Sequence, residues 1–168
     1  TRDLDVQTLA EPGAALTSAR TVVWAVKPQQ FKDAATACAP HTGQALHLSV
    51  MAGIRSDDLA RALGTERIVR TMPNTPALIG QGITGVYARP AVSAEQKADA
   101  QALLAPTGDV LWVEREADLD AVTALSGSGP AYVFYFVESM MEAAQQMGLT
   151  PEQGKQLEEA KKAEAELT

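Results

Sequence analysis

Thr21-Val22-Val23-Trp24-Ala25-Val26-Lys27-Pro28-Gln29 is the stretch on which the fold turns. From Thr21 to Val26 it is a short, β-rich apolar run without polar alternation, which is how a strand buried on both faces of a parallel sheet reads. Lys27-Pro28 stops the run, because proline has no amide to give to a ladder. Helical spacing follows from about Gln29 to Cys38, with Pro40 and Gly43 expected to close that helix. Ala45 to Met51 is a second strand ending at Ala52-Gly53. Ser56 to Leu63 is then a helix with Ser56 as candidate N-cap, acids in its first turn and Gly64 as its stop. A third strand runs from about Arg67 to Thr71 and halts at Met72-Pro73. A β segment near Ile83–Tyr87, a helix from Ser93 to Leu104 and a short strand at Val110–Val113 complete this part.

Strand–helix alternation with short turns predicts an α/β fold, a parallel sheet covered by helices. Ligands of such sheets sit at the carboxyl ends of the strands. Here those ends carry Lys27-Pro28-Gln29, Met51-Ala52-Gly53 and Met72-Pro73-Asn74-Thr75-Pro76. After Glu114 the period changes. Glu116–Leu125 reads as helix, Ser126-Gly127-Ser128-Gly129 interrupts it, and Pro130 opens a long helix ended by Gly148. That helix is apolar nearly all round, so its covering must come from a partner surface or further chain. Thr150-Pro151 begins a last helix. Beyond Gly154 the composition falls to Lys, Glu and Ala, with Leu157 and Leu167 almost alone as large apolar residues and Glu158–Lys162 as an i,i+4 pair.

Composition bounds the class. A chain of 168 residues, 46% hydrophobic, is one compact domain or two small ones, and is not disordered. A net charge of −7 argues against nucleic acid and anionic membrane as partners. A single cysteine, Cys38, excludes an intramolecular disulfide framework, and with only His41 and His47 beside it no metal site is expected. No apolar run approaches the ~18 residues of a membrane span, and the start of the chain does not read as a signal peptide. A soluble, reduced, cytoplasmic protein is the expectation.

Three motifs carry more. Ala25-Val26-Lys27-Pro28-Gln29 is either a strand-end loop whose backbone lies on a nucleotide or an ordinary strand followed by a turn. Met72-Pro73-Asn74-Thr75-Pro76 is held rigid by its two prolines and is either a platform for a ligand or a stiff turn. Ser126-Gly127-Ser128-Gly129-Pro130 offers either close backbone approach to an anion or a helix joint with serine caps. Gly80-Gln81-Gly82 and Gly85 lack phosphate-loop spacing and read as a bend. His47 reads as a satisfied structural histidine and Cys38 as a small buried hydrophobe. No hydrolase triad is supported.

Taken in order, Ala25-Val26-Lys27-Pro28-Gln29, Ser49-Val50-Met51-Ala52-Gly53-Ile54, Ile68 to Pro76 and Val122 to Phe134 resemble the pyrroline-5-carboxylate reductases, from about Leu4 to Gly154. The resemblance implies a Rossmann-like dinucleotide-binding domain at residues 1–115 and the start of an all-α dimerisation domain at residues 116–168. It implies hydride transfer from NADPH (or NADH) to 1-pyrroline-5-carboxylate, giving L-proline in proline biosynthesis, by a homo-oligomer, dimer or decamer. Ala25, Val26, Lys27 and Pro28 match the family's cofactor-contacting loop, and Ala52 and Gly53 the loop on the nicotinamide side. Asn74 matches the loop at the cofactor edge, and Glu116 an acidic residue near the cofactor. Ser126, Ser128 and Gly129 fall on the interdomain joint, as support for the substrate site. No residue is assigned as catalytic, and no metal is implied.

The family pattern begins with a strand and a Gly-rich phosphate loop, which nothing before Thr21 supplies, so the sheet is expected to be incomplete at its N-terminus. After Gly154 the family continues to a Gly-Gly-Thr-Thr-like substrate loop that residues 155–168 do not match. The expectation is a polypeptide that by itself binds dinucleotide weakly or not at all, with little or no reductase activity. Its exposed long helix should make it self-associate. The alternatives are a non-catalytic fragment or assembly module of that family, or another Rossmann reductase. The latter usually carries a lysine on the interdomain helix, and there is none between Lys97 and Lys155.

Overall fold

The structure, a computed structural model, describes residue 6, residues 8–154 and residue 156. It divides into two compact units, Thr1–Thr123 and Ala124–Thr168. The Leu157, Leu167 and Glu158–Lys162 readings lie outside the described residues.

The first unit is built on one five-stranded sheet in the order β1-β2-β3-β4-β5: β1 (Thr21–Trp24), β2 (Leu46–Ser49), β3 (Ile68–Met72), β4 (Gly82–Ala88) and β5 (Gly108–Trp112). β1, β2 and β3 are parallel, with Trp24 opposite Ser49 and Ser49 opposite Arg70. β4 departs from the all-parallel expectation. It runs antiparallel to β3, with Met72 opposite Gly85, and β5 is parallel to β4. The reason is the length of the link. Residues 73–81 are fewer than the dozen or so that a parallel crossover requires, so the chain must turn back. Between β4 and β5 there is room for a helix, and the parallel direction returns.

Helices α1 (Phe31–Thr42) and α2 (Ser56–Leu63) cover one apolar cluster of Trp24, Phe31, Ala35, Met51, Leu59, Leu63 and Ile68. α3 (Ala94–Leu104) covers a second, with Leu46, Leu48, Val69, Val86, Ala100 and Leu104. β2 is buried at every position, His47 and Ser49 included, as a strand covered on both faces of the sheet is. Pro40 does not end α1. It lies inside the helix, whose last turn loses only the one amide bond proline cannot make, and the Thr42 hydroxyl donates to the Cys38 carbonyl at 3.0 Å. α3 starts with a full capping box between Ser93 and Gln96. His47 is satisfied on both ring nitrogens. Trp24 Nε1 donates to Nδ1 at 3.0 Å, and Nε2 lies 3.0 Å from the Thr42 carbonyl.

Two glycines are set by close approach. A Cβ on Gly108 (φ +125°) would stand 2.1 Å from the Gly82 carbonyl oxygen across the β4–β5 pair. A Cβ on Gly85 would stand 2.8 Å from Val122 Cγ1, because α4 (Asp118–Val122) lies on the sheet there and buries Leu119 completely. The helix expected over Glu116–Leu125 is therefore only α4, followed by a π-helical turn at Thr123–Gly127.

The second unit contains α5 (Gly129–Gln146), with Pro130 in its first turn as the sequence implies. Ser128 precedes it in helical backbone geometry and makes no side-chain cap bond. α5 has no buried residue, and Tyr132, Val133, Phe134, Tyr135 and Phe136 are each at least 60% exposed. Its end is a Schellman motif: Gly148 (φ +91°) donates to the Gln145 carbonyl and Leu149 to that of Ala144. Thr150 and Gln153 then cap helical residues 151–154 reciprocally.

Candidate functional site

Because β1, β2 and β3 are parallel, their carboxyl ends open on one edge of the sheet. The loops leaving them there are Ala25–Pro28, Val50–Gly53 and Pro73–Asn74. Val50 donates to the Trp24 carbonyl at 3.2 Å, so the first two loops diverge only beyond that bond. Ala25, Val26, Lys27 and Pro28 are all exposed. Lys27 is extended (φ −63°, ψ +139°) and leads into a single 3-10 turn at Pro28–Gln30.

Ala52 and Gly53 are exposed as well. Gly53 has φ +79°, a conformation that strains any residue with a Cβ. Nothing lies within 4 Å of the point where that Cβ would be. The glycine is therefore demanded by the turn, and the space beside its backbone is open to a ligand.

Asn74 is half-buried and extended (φ −116°, ψ +168°). Its Oδ1 accepts from the Ile83 amide at 2.9 Å. The side chain thereby ties the proline-stiffened loop to the first residues of β4.

Glu116 has no exposed edge position of its own. Its Oε1 accepts from the Ser56 amide at 2.7 Å and from Arg70 Nη1 at 2.9 Å, and its Oε2 accepts from the Ser56 hydroxyl at 2.5 Å. Burial works against the charge, but the hydrogen bonds from Ser56 and Arg70 outweigh it and hold the carboxyl below its usual range. Ser56 is the first residue of α2 and does not cap it. The cap residue is Arg55, which makes no side-chain cap bond. The Glu116 carboxylate satisfies the helix amide instead, a placement the helix dipole favours. Arg89 Nη1 donates to the Ser56 hydroxyl at 3.2 Å and also pairs with Asp57 and Glu66. Arg89 holds the exposed Asp57 carboxyl below its usual range. A cavity of about 220 Å³ opens between Gly53, Arg55, Arg70, Glu116, Ala117 and Asp120.

The structure thus brings Glu116 to the Gly53 turn through Ser56, and gathers the Ala25–Pro28 and Asn74 loops on the same sheet edge. Ser126, Ser128 and Gly129 lie in the second unit, at the π-helical turn and the start of α5. Sequence reading missed Arg70, Ser56 and Arg89. Arg70 had a signal: a charged residue in the middle of Ile68-Val69-Arg70-Thr71-Met72 demands a carboxylate nearby. A second cavity, about 720 Å³, is lined by Lys97, Gln101, Trp112 and Glu114 beside the oppositely directed carboxyl end of β5, and no predicted site residue lines it. Among the described residues no group of His, Cys, Asp and Glu could hold a metal ion, and no helix is long and apolar enough to cross a membrane.

Known proteins add the following. The family model for pyrroline-5-carboxylate reductase dimerisation matches residues 116–162. The pyrroline-5-carboxylate reductase of Pseudomonas aeruginosa is 46% identical over 145 residues, covering 85% of this chain and 53% of that protein. That of Haemophilus influenzae is 37% identical over 160 residues, covering 92% and 58%. Among solved structures, the Coxiella burnetii reductase superposes with a TM-score of 0.77 at 38% identity, covering 89% of this chain and 56% of the other. The Plasmodium falciparum pyrroline carboxylate reductase with NADP bound gives 0.78 at 32% identity, covering 90% and 62%. The chain spans about half the length of the curated relatives it matches.

Proposed function

This chain belongs to the pyrroline-5-carboxylate reductase family, and from that premise we propose that its protein reduces 1-pyrroline-5-carboxylate to L-proline with NADPH or NADH, a step of proline biosynthesis. Residues 1–115 are the dinucleotide-binding part in this reading, and the helical dimerisation part begins at 116, where the family match begins. The observation that carries it is the meeting of three family motifs on one sheet edge: Ala25-Val26-Lys27-Pro28, Ala52-Gly53 and Asn74.

The open space at Gly53 fits a flat ring set against the turn. A bound nicotinamide supplies the hydride. The chain's part is to hold and orient. Ala25–Pro28 and Ala52–Gly53 offer exposed backbone along the cofactor, and Asn74 keeps the third loop rigid beside it. A protonated imine is already electrophilic, so holding the reacting carbons about 3–3.5 Å apart is the main requirement, and no strong general base is called for. Ser126, Ser128 and Gly129 support the substrate side.

Substrate-dependent loss of NADPH or NADH with proline as product, measured on the protein expressed from its full reading frame, tests this. A folded protein that leaves both nucleotides untouched overturns it. A cytoplasmic location goes with the reading.

The exposed face of α5 favours a second role, assembly. The 60–73% exposure of Tyr132 to Phe136 supports a homo-oligomer, dimer or larger, joined through this helix. Light scattering should find more than one copy per particle. A monomer that binds no apolar dye would refute it.

A further inference from the structure

The Ala52–Gly53 turn is strung between two anchors. Before it, the Met51 amide donates to the Ser49 hydroxyl at 3.2 Å, a bond made within its own strand end. After it comes extended Arg55 and then Ser56, which is 1% exposed. This second anchor is not local. Both the amide and the hydroxyl of Ser56 are bonded to Glu116, which comes from beyond β5. Nothing packs on the Cβ side of Gly53, so the turn has no side-chain contact there to hold it.

We propose that Glu116 is a positioning residue that fixes the Ala52–Gly53 turn by gripping the start of α2 through Ser56. Its importance for a nicotinamide nucleotide rests on the cofactor reading above; the fixing of the turn does not. The geometry supports a grip of high rigidity. Arg70 Nη1 holds Oε1 from β3, and Arg89 holds the Ser56 hydroxyl from the end of β4, so each partner of the Glu116–Ser56 pair is itself held. The charged groups around the carboxylate are Arg70 and Arg89 from the sheet, Arg55 and Asp57 from the start of α2, and Asp120 from α4. Charge-assisted bonds of this kind are the strong ones.

Backbone amide NMR of the chain decides it without a variant. As pH is lowered, the amides of Ala52, Gly53 and Ser56 should move together with one midpoint, that of Glu116. Glu116→Gln should abolish the shared movement and speed solvent exchange of the Ser56 and Gly53 amides on the order of tenfold or more. The Leu48 and Val69 amides should stay in place, which shows that the core is intact. Glu116→Asp should restore the shared titration with an altered midpoint. If Ser56 titrates while Ala52 and Gly53 do not, the carboxylate caps α2 only and the proposal fails. NADPH and NADH added to the protein expressed from its full reading frame separate the two readings. Turn amides that follow Glu116 but respond to neither nucleotide leave the positioning role standing and sink the cofactor assignment. Turn amides that respond to a nucleotide alike in wild type and Glu116→Gln, with no shared titration, sink the positioning role.

Discussion

Ser56 and Glu116 stand 60 residues apart in the chain and share two hydrogen bonds, amide to Oε1 at 2.7 Å and hydroxyl to Oε2 at 2.5 Å. A helix start is thus capped by a carboxylate from a distant loop, with Arg70 as counter-charge. Replacing Glu116 by Gln should lower stability by about 2 kcal/mol at neutral pH. The sign with pH follows from the lowered carboxyl pKa. The unfolded chain binds a proton near the ordinary value of 4.5, and the folded chain only below it. The contribution is complete above that value and is lost as pH falls through the folded pKa. Urea midpoints of wild type and variant should therefore draw together as pH falls below 4.5; a gap that stays constant with falling pH would contradict this.

Burial holds the His47 imidazole below its usual pKa, with the Thr42 carbonyl pulling the other way and Arg67 adding to the fall. The Trp24 N–H fixes Nδ1 as acceptor, so a proton can enter only by breaking that bond. The unfolded chain protonates near 6.5, the folded chain lower. Stability is then full above 6.5 and declines as pH drops through the window below it. Urea titrations at successive pH values read this slope. Trp24→Phe frees Nδ1 and should flatten it; an unchanged slope would show that His47 is not its source.

Gly85 and Gly108 should not tolerate alanine, for different reasons. At Gly85 the new methyl meets the ends of Val122 and Leu119, which can shift, so about 1–3 kcal/mol is the expected loss. At Gly108 it meets the Gly82 backbone, and its positive φ adds strain. Gly108→Ala should cost more than Gly85→Ala in thermal or urea unfolding. Equal losses would argue against the close β4–β5 approach.

Thr84 is 1% exposed on β4, and its hydroxyl has no hydrogen-bond partner among the described residues. Such a group costs desolvation without return. Thr84→Val keeps the shape and should be neutral or stabilising by up to about 1 kcal/mol. A clear destabilisation in urea would reveal a partner for that hydroxyl.

Much of the first unit was legible because its signals are local. The run at Thr21–Val26 and the glycine after α2 each specify their element without help from elsewhere. Pro40 misled because proline removes one bond, and near a helix end one bond is a small loss. The direction of β4 was legible only through the length of residues 73–81, which apolar content does not report. Of the candidate site, the strand-end loops were visible as proline and glycine stops. Ser56 was misread as its own helix cap, since a serine before two aspartates satisfies the local rule, while the true acceptor lies beyond β5. Long-range pairing leaves no periodic trace, and only the charge at Arg70 hinted at it.

α5 lacks a single buried side chain along its 18 residues. Helices of about this length are marginal in water on their own, since nucleation is unfavourable and propagation only slightly favourable. Its coil–helix balance is therefore poised, and any surface that covers Tyr132 to Phe136 pulls that balance toward helix as it binds. In the assembly proposed above, helicity in this segment would become a function of protein concentration, and dilution would act on it as a denaturant does.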